Sequence, residues 1–195
     1  MTRAEMGLRE RTRRAVRAEL AELALGLFVE RGYERTTVED IAAAAGLSKR
    51  SFFRYFPTKE DVVFGDVDDL AERIADDIRA RPCDGDAWAC LHAVLRDWEP
   101  RVHAAQRDLA GMRLIETTPA LRARLHQKRD ELRDRVTAAL RERPGASLDA
   151  FTAELLTAAA GAALDAAARE WLRSDGTADR AALIDHAFTL LAPRL

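Results

Sequence analysis

The chain has 195 residues, of which 48% are hydrophobic and 33% charged. Such a chain is long enough to bury a core, as one domain or as a small domain fused to a larger one, and its composition excludes a disordered protein. Residues 1–17 contain six arginines and two glutamates, a net charge of +4, whereas residues 62–195 contain 19 basic and 23 acidic side chains, a net charge of −4. The basic N-terminal segment is therefore the part expected to meet a polyanion such as nucleic acid.

Neither a membrane span nor a secretory signal is predicted. The longest charge-free apolar run, Leu155–Leu164, has ten residues, whereas a membrane span needs about 20. The N-terminal segment is charged throughout and lacks the apolar stretch of a signal peptide. Two cysteines, Cys83 and Cys90, do not make a disulfide framework. We therefore expect a cytoplasmic protein that does not bind membranes.

The first predicted element is a long amphipathic helix that starts near Arg9 and stops at Gly32. Leu20, Ala24 and Leu27 follow the three- and four-residue spacing of one helical face, together with Leu23 and Phe28. Glycine is common just beyond helix C-termini.

Two short helices follow. Thr37 and Asp40 approximate a capping box that starts the first of them, with Thr36 and Glu39 as the alternative one residue earlier. This helix should run to Ala45 and break at Gly46. Ser48 is a natural N-cap for the next helix, which Pro57 ends.

The rest of the chain is predicted to be helical as well. Thr58 and Asp61 cap a longer helix from Lys59 to about Ala80. Further breaks are predicted at 82–85, around Pro100, and at 117–119, 144–147 and 174–177. The expected fold is all-α with about nine helices: three helices over 9–60 and a helical body over 61–195.

Residues 38–56 match a helix-turn-helix. Ala42 lies four residues before Gly46, where two helices cross closely, and glycine adopts the left-handed turn without a steric penalty. The apolar residues that must pack the two helices together are in register: Val38, Ile41, Ala45, Leu47 and Phe52.

The second helix of this motif has one core face and one basic face. Phe52 and Phe56 are four residues apart and face the core, which leaves Lys49 and Arg50 exposed to contact guanine edges in the major groove. The predicted DNA-binding residues are Thr37, Ser48, Lys49, Arg50, Ser51, Phe53, Tyr55 and Lys59. Tyr55, Lys59 and Thr37 are assigned to phosphates, which set the register on DNA. The arginine-rich leader is either a solvated helix end or a source of phosphate or minor-groove contacts.

These motifs resemble the DNA-binding domain of the TetR/AcrR repressor family, over about the first third of the chain. The matching runs are 36–42, 45–48 and 51–60. The resemblance implies an all-helical homodimer with a DNA-binding domain over 9–60 and a ligand-binding and dimerisation domain over 61–195. It also implies an inducer pocket in the second domain and release of a double-stranded DNA operator when ligand binds. It also implies phosphate contacts from Thr37, Ser51, Phe53, Tyr55 and Lys59, with base contacts near Lys49 and Arg50. Phe53 departs from the family, which most often has tyrosine there, so a phosphate hydrogen bond is lost and Phe53 packs on the DNA backbone or a thymine methyl instead.

The last two helices are candidates for the dimer interface. A stripe of small residues includes Ala159, Ala163 and Ala167, and the last helix has its own apolar stripe that includes Leu183 and Leu190. Two such helices per subunit could form a four-helix interface, as in the family; an internal core seam explains the same pattern. A dimer should bind a roughly palindromic operator with half-sites about one helical turn or more apart.

The candidate ligand pocket consists of large residues of the middle helices: Trp88, Leu91, Leu95, Trp98, Met112 and Ile115. A small hydrophobic or amphipathic ligand would fit them, although core packing explains them equally well. Residues 111–122 are similar to the subgroup of the mycofactocin-system regulator, which makes acyl-CoA a ligand candidate.

Neither an enzyme nor a metal or cofactor site is predicted. The four histidines, His92, His103, His126 and His186, lack metal-ligand spacing, and neither a catalytic triad pattern nor a glycine-rich phosphate loop is present. The leading hypothesis is a ligand-responsive repressor. The alternatives are an activator or co-repressor-dependent regulator of the same fold, and a helical ligand-binding module with a vestigial DNA-binding domain.

Overall fold

A computed structural model describes residues 3–65, 67–81, 86–105, 109–145 and 147–192. All regular secondary structure in these ranges is helical, which confirms the predicted all-α class. The described residues form ten helices: α1 Arg3–Arg31, α2 Val38–Ala44, α3 Lys49–Phe52, α4 Asp61–Phe64, α5 Val67–Ala80, α6 Ala87–Ala105, α7 Leu109–Thr117, α8 Pro119–Glu142, α9 Ala150–Arg173 and α10 Arg180–Leu191.

The chain divides into two compact units. Unit 1 comprises residues 1–67 and 105–124, and unit 2 comprises residues 68–104 and 125–195. Unit 1 thus contains α1 to α4 together with α7 and the start of α8. The predicted division into a DNA-binding domain over 9–60 and a ligand-binding and dimerisation domain over 61–195 concerns function. The two units describe packing alone, so this division stays a prediction.

The core of unit 1 forms between α1 and the two short helices. Leu20, Ala24 and Phe28 repeat every four residues along α1, and each is at most 1% exposed. Ile41 of α2 and Phe52 of α3 are fully buried in the same unit. The short helices depend on this burial because isolated helices of four to seven residues are not stable in water.

The helix predicted from Lys59 to Ala80 is interrupted, so that prediction was wrong. α4 covers only Asp61–Phe64, and Gly65 adopts a φ of +51° before α5 begins at Val67. A positive φ cannot continue a right-handed helix, and glycine adopts it cheaply because it lacks a Cβ. The apolar periodicity runs through this position and therefore did not reveal the break.

The break predicted at Pro100 does not occur either. Pro100 lies within α6, which continues to Ala105. Proline removes one backbone hydrogen bond, but the preceding turns are held by Leu95 and Trp98, which are 8% and 5% exposed. Their burial outweighs the lost hydrogen bond, since tertiary packing supplies most helix stability in proteins.

α9 and α10 pack against each other in unit 2, and each has one buried and one exposed apolar face. Ala163 and Ala167 of α9, with Ile184 and Phe188 of α10, belong to the hydrophobic core of the unit. Large apolar side chains on both helices are nevertheless exposed: Phe151, Leu155, Leu190 and Leu191. By length and composition α9 could also cross a membrane, but its buried face is that of a core helix.

Candidate nucleic-acid interface

The start of α2 is fixed by a reciprocal capping box between Thr37 and Asp40. The Thr37 hydroxyl accepts from the Asp40 backbone N–H at 3.1 Å, and the Asp40 carboxylate accepts from the Thr37 backbone N–H at 2.8 Å. The Thr37 hydroxyl also donates to Asp40 at 2.6 Å, and these hydrogen bonds lower the pKa of the Asp40 carboxyl. The predicted box is confirmed; the alternative at Thr36 is wrong, because Thr36 is buried and its hydroxyl donates to the Gly32 carbonyl at 2.9 Å.

The turn between α2 and α3 is a Schellman motif. The Leu47 N–H donates to the Ala42 carbonyl at 2.8 Å and the Gly46 N–H to the Ala43 carbonyl at 3.0 Å. Gly46 has a φ of +66°, as the left-handed position of this motif requires. Ala42 is 1% exposed, which agrees with the predicted close helix crossing. These bonds determine the angle between the two helices.

α3 presents its basic residues to solvent. Ser48 caps the helix by accepting from the Ser51 N–H at 3.1 Å. Phe52 is fully buried, whereas Phe53 is 44% exposed beside it. Lys49 and Arg50 are exposed, so the predicted core face and basic face are both present.

Lys49 is paired across the turn with Glu39 of α2. Its Nζ donates to Glu39 Oε1 at 2.6 Å, and both side chains are more than half exposed. The hydrogen bond from Lys49 lowers the pKa of the Glu39 carboxyl, which is therefore ionised at neutral pH. This acidic neighbour on the basic face was not anticipated from the sequence, because the two residues lie ten apart.

Lys59 and Glu60 connect the segment after α3 to the end of α1. Lys59 Nζ donates to the Tyr33 and Thr36 carbonyls at 3.1 and 3.2 Å and lies 3.9 Å from the centroid of the Tyr33 ring. The Tyr33 hydroxyl donates to the Glu60 carboxylate, and burial followed by that carboxylate raises the pKa of Tyr33. Lys59 is thus engaged in fixing the backbone, and its phosphate contact stays a prediction.

Arg17 of α1 is a second connection that sequence analysis missed. Its guanidinium donates to the Tyr55 carbonyl and, at 2.5 Å, to the Gly65 carbonyl, and it lies 4.4 Å from the centroid of the Phe56 ring. By charge alone, Arg17 belongs to the basic leader. Its position three residues before Leu20 places it on the buried face of α1, and this spacing was the available signal.

The start of α4 is held by a buried ion pair. Arg124 of α8 donates through Nε and Nη2 to Asp61 Oδ1, both at 2.7 Å, while Thr58 donates to Oδ2 at 2.9 Å. The Asp61 side chain is 6% exposed and that of Arg124 is 21% exposed. The Thr58–Asp61 cap was predicted, but its partner 63 residues away was not.

The predicted DNA-binding residues are therefore brought together in one unit. Their positions are the start of α2, the capped start and exposed face of α3, and the segment that follows: Thr37, Ser48, Lys49, Arg50, Ser51, Phe53, Tyr55 and Lys59. Their contacts with DNA stay predictions.

The predicted pocket residues are divided between the two units. Trp88, Leu91, Leu95 and Trp98 belong to the core cluster of unit 2, whereas Met112 and Ile115 are buried in unit 1. Both tryptophans of unit 2 are also held by hydrogen bonds. Trp88 Nε1 donates to the Phe188 carbonyl at 3.1 Å, and Trp98 Nε1 donates to Asp77 at 3.0 Å. Of the two cysteines, Cys90 is partly buried against the core, and Cys83 lies outside the described residues.

Comparisons with known proteins agree with this architecture. The family model for bacterial regulatory proteins of the TetR family matches residues 20–64, and the model for the MftR C-terminal domain matches residues 87–195, more than half of the chain. The transcriptional regulator TcmR of Streptomyces glaucescens is 33% identical over 178 residues, which cover 87% of this chain and 79% of TcmR. The chain belongs to the TetR family. It is a DNA-binding transcriptional regulator with a helix-turn-helix, as predicted, and its second part is of the predicted mycofactocin-regulator type.

Solved TetR-family structures share the fold. FadR of Thermus thermophilus, a repressor solved with lauroyl-CoA, aligns with a TM-score of 0.56 and 24% identity over 90% of this chain and 92% of FadR. FadR of Bacillus subtilis, solved with stearoyl-CoA, aligns with a TM-score of 0.59 and 19% identity over 91% of this chain and 98% of that protein. At these identities the likeness concerns the fold, and the acyl-CoA ligands are properties of those two regulators.

Proposed function

We propose that this TetR-family protein is a cytoplasmic, ligand-responsive repressor that binds a palindromic operator as a homodimer. The observation on which the proposal rests is the exposed pair Lys49 and Arg50 on a capped, core-anchored α3. A rigid helix with exposed basic side chains can enter the major groove, where these side chains bond to guanine edges. Thr37, Ser51, Tyr55 and Lys59 would contact phosphates and set the register.

Single substitutions at Lys49 and Arg50 test the base contacts. Lys49→Ala and Arg50→Ala should each weaken operator binding by about 1–3 kcal/mol, because each removes donors to a base edge. The operator is obtained by selection from a random DNA pool, and affinity is measured by fluorescence anisotropy at fixed salt. Arg133→Ala is the control, since Arg133 is an exposed arginine in unit 2. Unchanged affinity in both α3 variants would refute this base readout.

The dimer is proposed through the exposed apolar faces of α9 and α10. Phe151 and Leu190 are more than 70% exposed, and Leu155 and Leu191 about half exposed. Exposed large apolar side chains on two adjacent helices are typical of an interaction surface, and a C2 dimer buries the same surface of both subunits. The two recognition helices of such a dimer would meet the two halves of a palindrome.

Charge substitutions in these faces test the dimer. Leu155→Glu and Leu190→Glu should each halve the mass measured by light scattering at micromolar concentration, because burying a carboxylate in an apolar interface is costly. Operator affinity should fall as well, since half-sites would be bound separately. Val29→Glu is the matched control: Val29 is 61% exposed but lies on α1. A dimer that persists in both α9 and α10 variants rules out this interface.

Release by a small hydrophobic or amphipathic ligand completes the proposal. A ligand that binds better to one conformation of the dimer shifts the population away from the operator-bound conformation. Lauroyl-CoA and stearoyl-CoA, bound by the two FadR proteins, are the first probes. Titration of either into the operator complex should release the DNA, with free CoA as the control.

A further inference from the structure

The strongest unassigned feature of unit 1 is the ion pair between Glu39 and Lys49. It joins the second residue of α2 to the first residue of α3, with a distance of 2.6 Å between Oε1 and Nζ. Both side chains are exposed, and such a pair contributes little to folding stability. Its place on the basic face therefore calls for a reason other than stability.

The backbones on both sides of the pair are held rigidly. The capping box of Thr37 and Asp40 fixes the start of α2, and the Ser48 cap fixes the start of α3. The Schellman bonds at Gly46 set the angle between the two helices. The Asp40 carboxylate is engaged by Thr37, whereas that of Glu39 faces Lys49. The ammonium and the carboxylate are thus presented side by side.

The Glu39 carboxylate in this position lowers the affinity for DNA. Phosphates repel it, and pairing with Glu39 reduces the ability of Lys49 to attract them. A base contact in the major groove can offset this repulsion. A G·C base pair presents the O6 and N7 acceptors of guanine beside the N4 amino donor of cytosine. An ammonium donor beside a carboxylate acceptor matches that order. The ammonium can donate to guanine O6 and N7 while the carboxylate accepts from cytosine N4.

We propose that Glu39 and Lys49 act together to recognise one G·C base pair in each operator half-site, with Lys49 bonding to guanine and Glu39 accepting from the cytosine amino group. This inference rests on the proposed insertion of α3 into the major groove. At an A·T pair the adenine amino group meets the carboxylate, but it also lies beside the ammonium that bonds to N7, and the thymine O4 stays without a donor. G·C is therefore the pair that satisfies both side chains.

The test compares base preference at each operator position for the wild type and three glutamate variants. The operator selected by the wild type from a random pool should contain one G·C pair per half-site whose change to A·T weakens binding roughly 5- to 150-fold, the range of one good base contact. Glu39→Met, which removes the carboxylate acceptor at a similar side-chain length, should reduce that discrimination to below about threefold and leave the other positions unchanged. It should also bind non-operator DNA more tightly, because one negative charge is removed.

Two further variants separate geometry from charge. Glu39→Asp keeps the charge but shortens the side chain by one methylene, so it should lose discrimination without tightening non-operator binding. Glu30→Met removes an exposed charge at the end of α1 and should keep wild-type discrimination. All proteins are compared at matched salt after their thermal unfolding transitions have been shown to agree.

The outcomes are distinct. If Glu39→Met retains wild-type discrimination at every position, or only tightens binding to all sequences equally, the recognition of a G·C pair by Glu39 is refuted while the proposed repressor function stands. If the wild type enriches no sequence from the pool, the proposed function and this inference both fail.

Discussion

Replacing Phe52 by alanine should destabilise the helix-turn-helix by about 3–5 kcal/mol, the usual cost of removing a buried phenylalanine. Phe52 is fully buried, and its ring contacts those of Phe53 and Phe56 at centroid distances of 5.6 and 5.8 Å. α3 has only four residues and has no stability without this packing. Operator binding should therefore be lost together with the local fold.

Hydrogen exchange measured by mass spectrometry checks this prediction, since it reports on α2 and α3 separately from unit 2. Phe53→Ala is the matched control, because it removes the same side chain from the neighbouring, 44% exposed position. We expect exchange in α2 and α3 to accelerate strongly in Phe52→Ala and to change little in Phe53→Ala. Equal protection in the two variants would show that Phe52 is not the anchor of α3.

Replacing Arg124 by methionine should destabilise unit 1 by about 3–5 kcal/mol, the typical cost of removing one partner from a buried ion pair. The methionine keeps much of the side-chain volume but leaves the Asp61 carboxylate buried without this guanidinium, while the Thr58 hydroxyl still donates to it. Because Asp61 is the first residue of α4, the loss should weaken the packing of the segment that follows α3.

A second substitution at Asp61 provides the internal test. The double variant Arg124→Met with Asp61→Asn carries no charge at this position, and the amide oxygen can still accept from Thr58, so most of the lost stability should return. Arg173→Ala, which breaks an exposed pair with Glu170, should have little effect on stability. The free energies of unfolding of the three variants and the wild type are compared by urea titration, with unfolding of α4 monitored by hydrogen exchange. A double variant as unstable as Arg124→Met would contradict the buried-charge explanation.

Local patterns predicted most of the helix-turn-helix. The Thr37 box, the Ser48 cap and the left-handed Gly46 are interactions within about five residues, so the residue types and their spacing are sufficient to identify them. The burial of Phe52 follows from helical periodicity in the same way. Phe56 is buried as predicted, but the prediction that this helix extends to Pro57 was wrong, because α3 ends at Phe52.

Contacts between residues far apart in the sequence were not predictable from these local patterns. The partners of Arg17 lie 38 and 48 residues away, and Arg124 meets Asp61 across 63 residues. An arginine in a charged helix has the same local signature whether it is solvated or bridges two carbonyls, because its long side chain can reach either environment. Only the packing of α1 and α8 distinguishes these roles.

The sequence by itself determined the all-helical class, the helix-turn-helix and the basic face of α3, because these depend on short-range periodicity, capping and the conformational freedom of glycine. The tertiary structure decided where helices continue and which charges meet. Gly65 interrupts the stretch predicted as one helix because its backbone adopts a positive φ. α6 continues through Pro100 because burial of the surrounding side chains outweighs the local propensity of proline. The tertiary structure also placed Glu39 beside Lys49, because the turn at Gly46 brings the two residues into contact. The lysine proposed to contact a base therefore has an acidic neighbour.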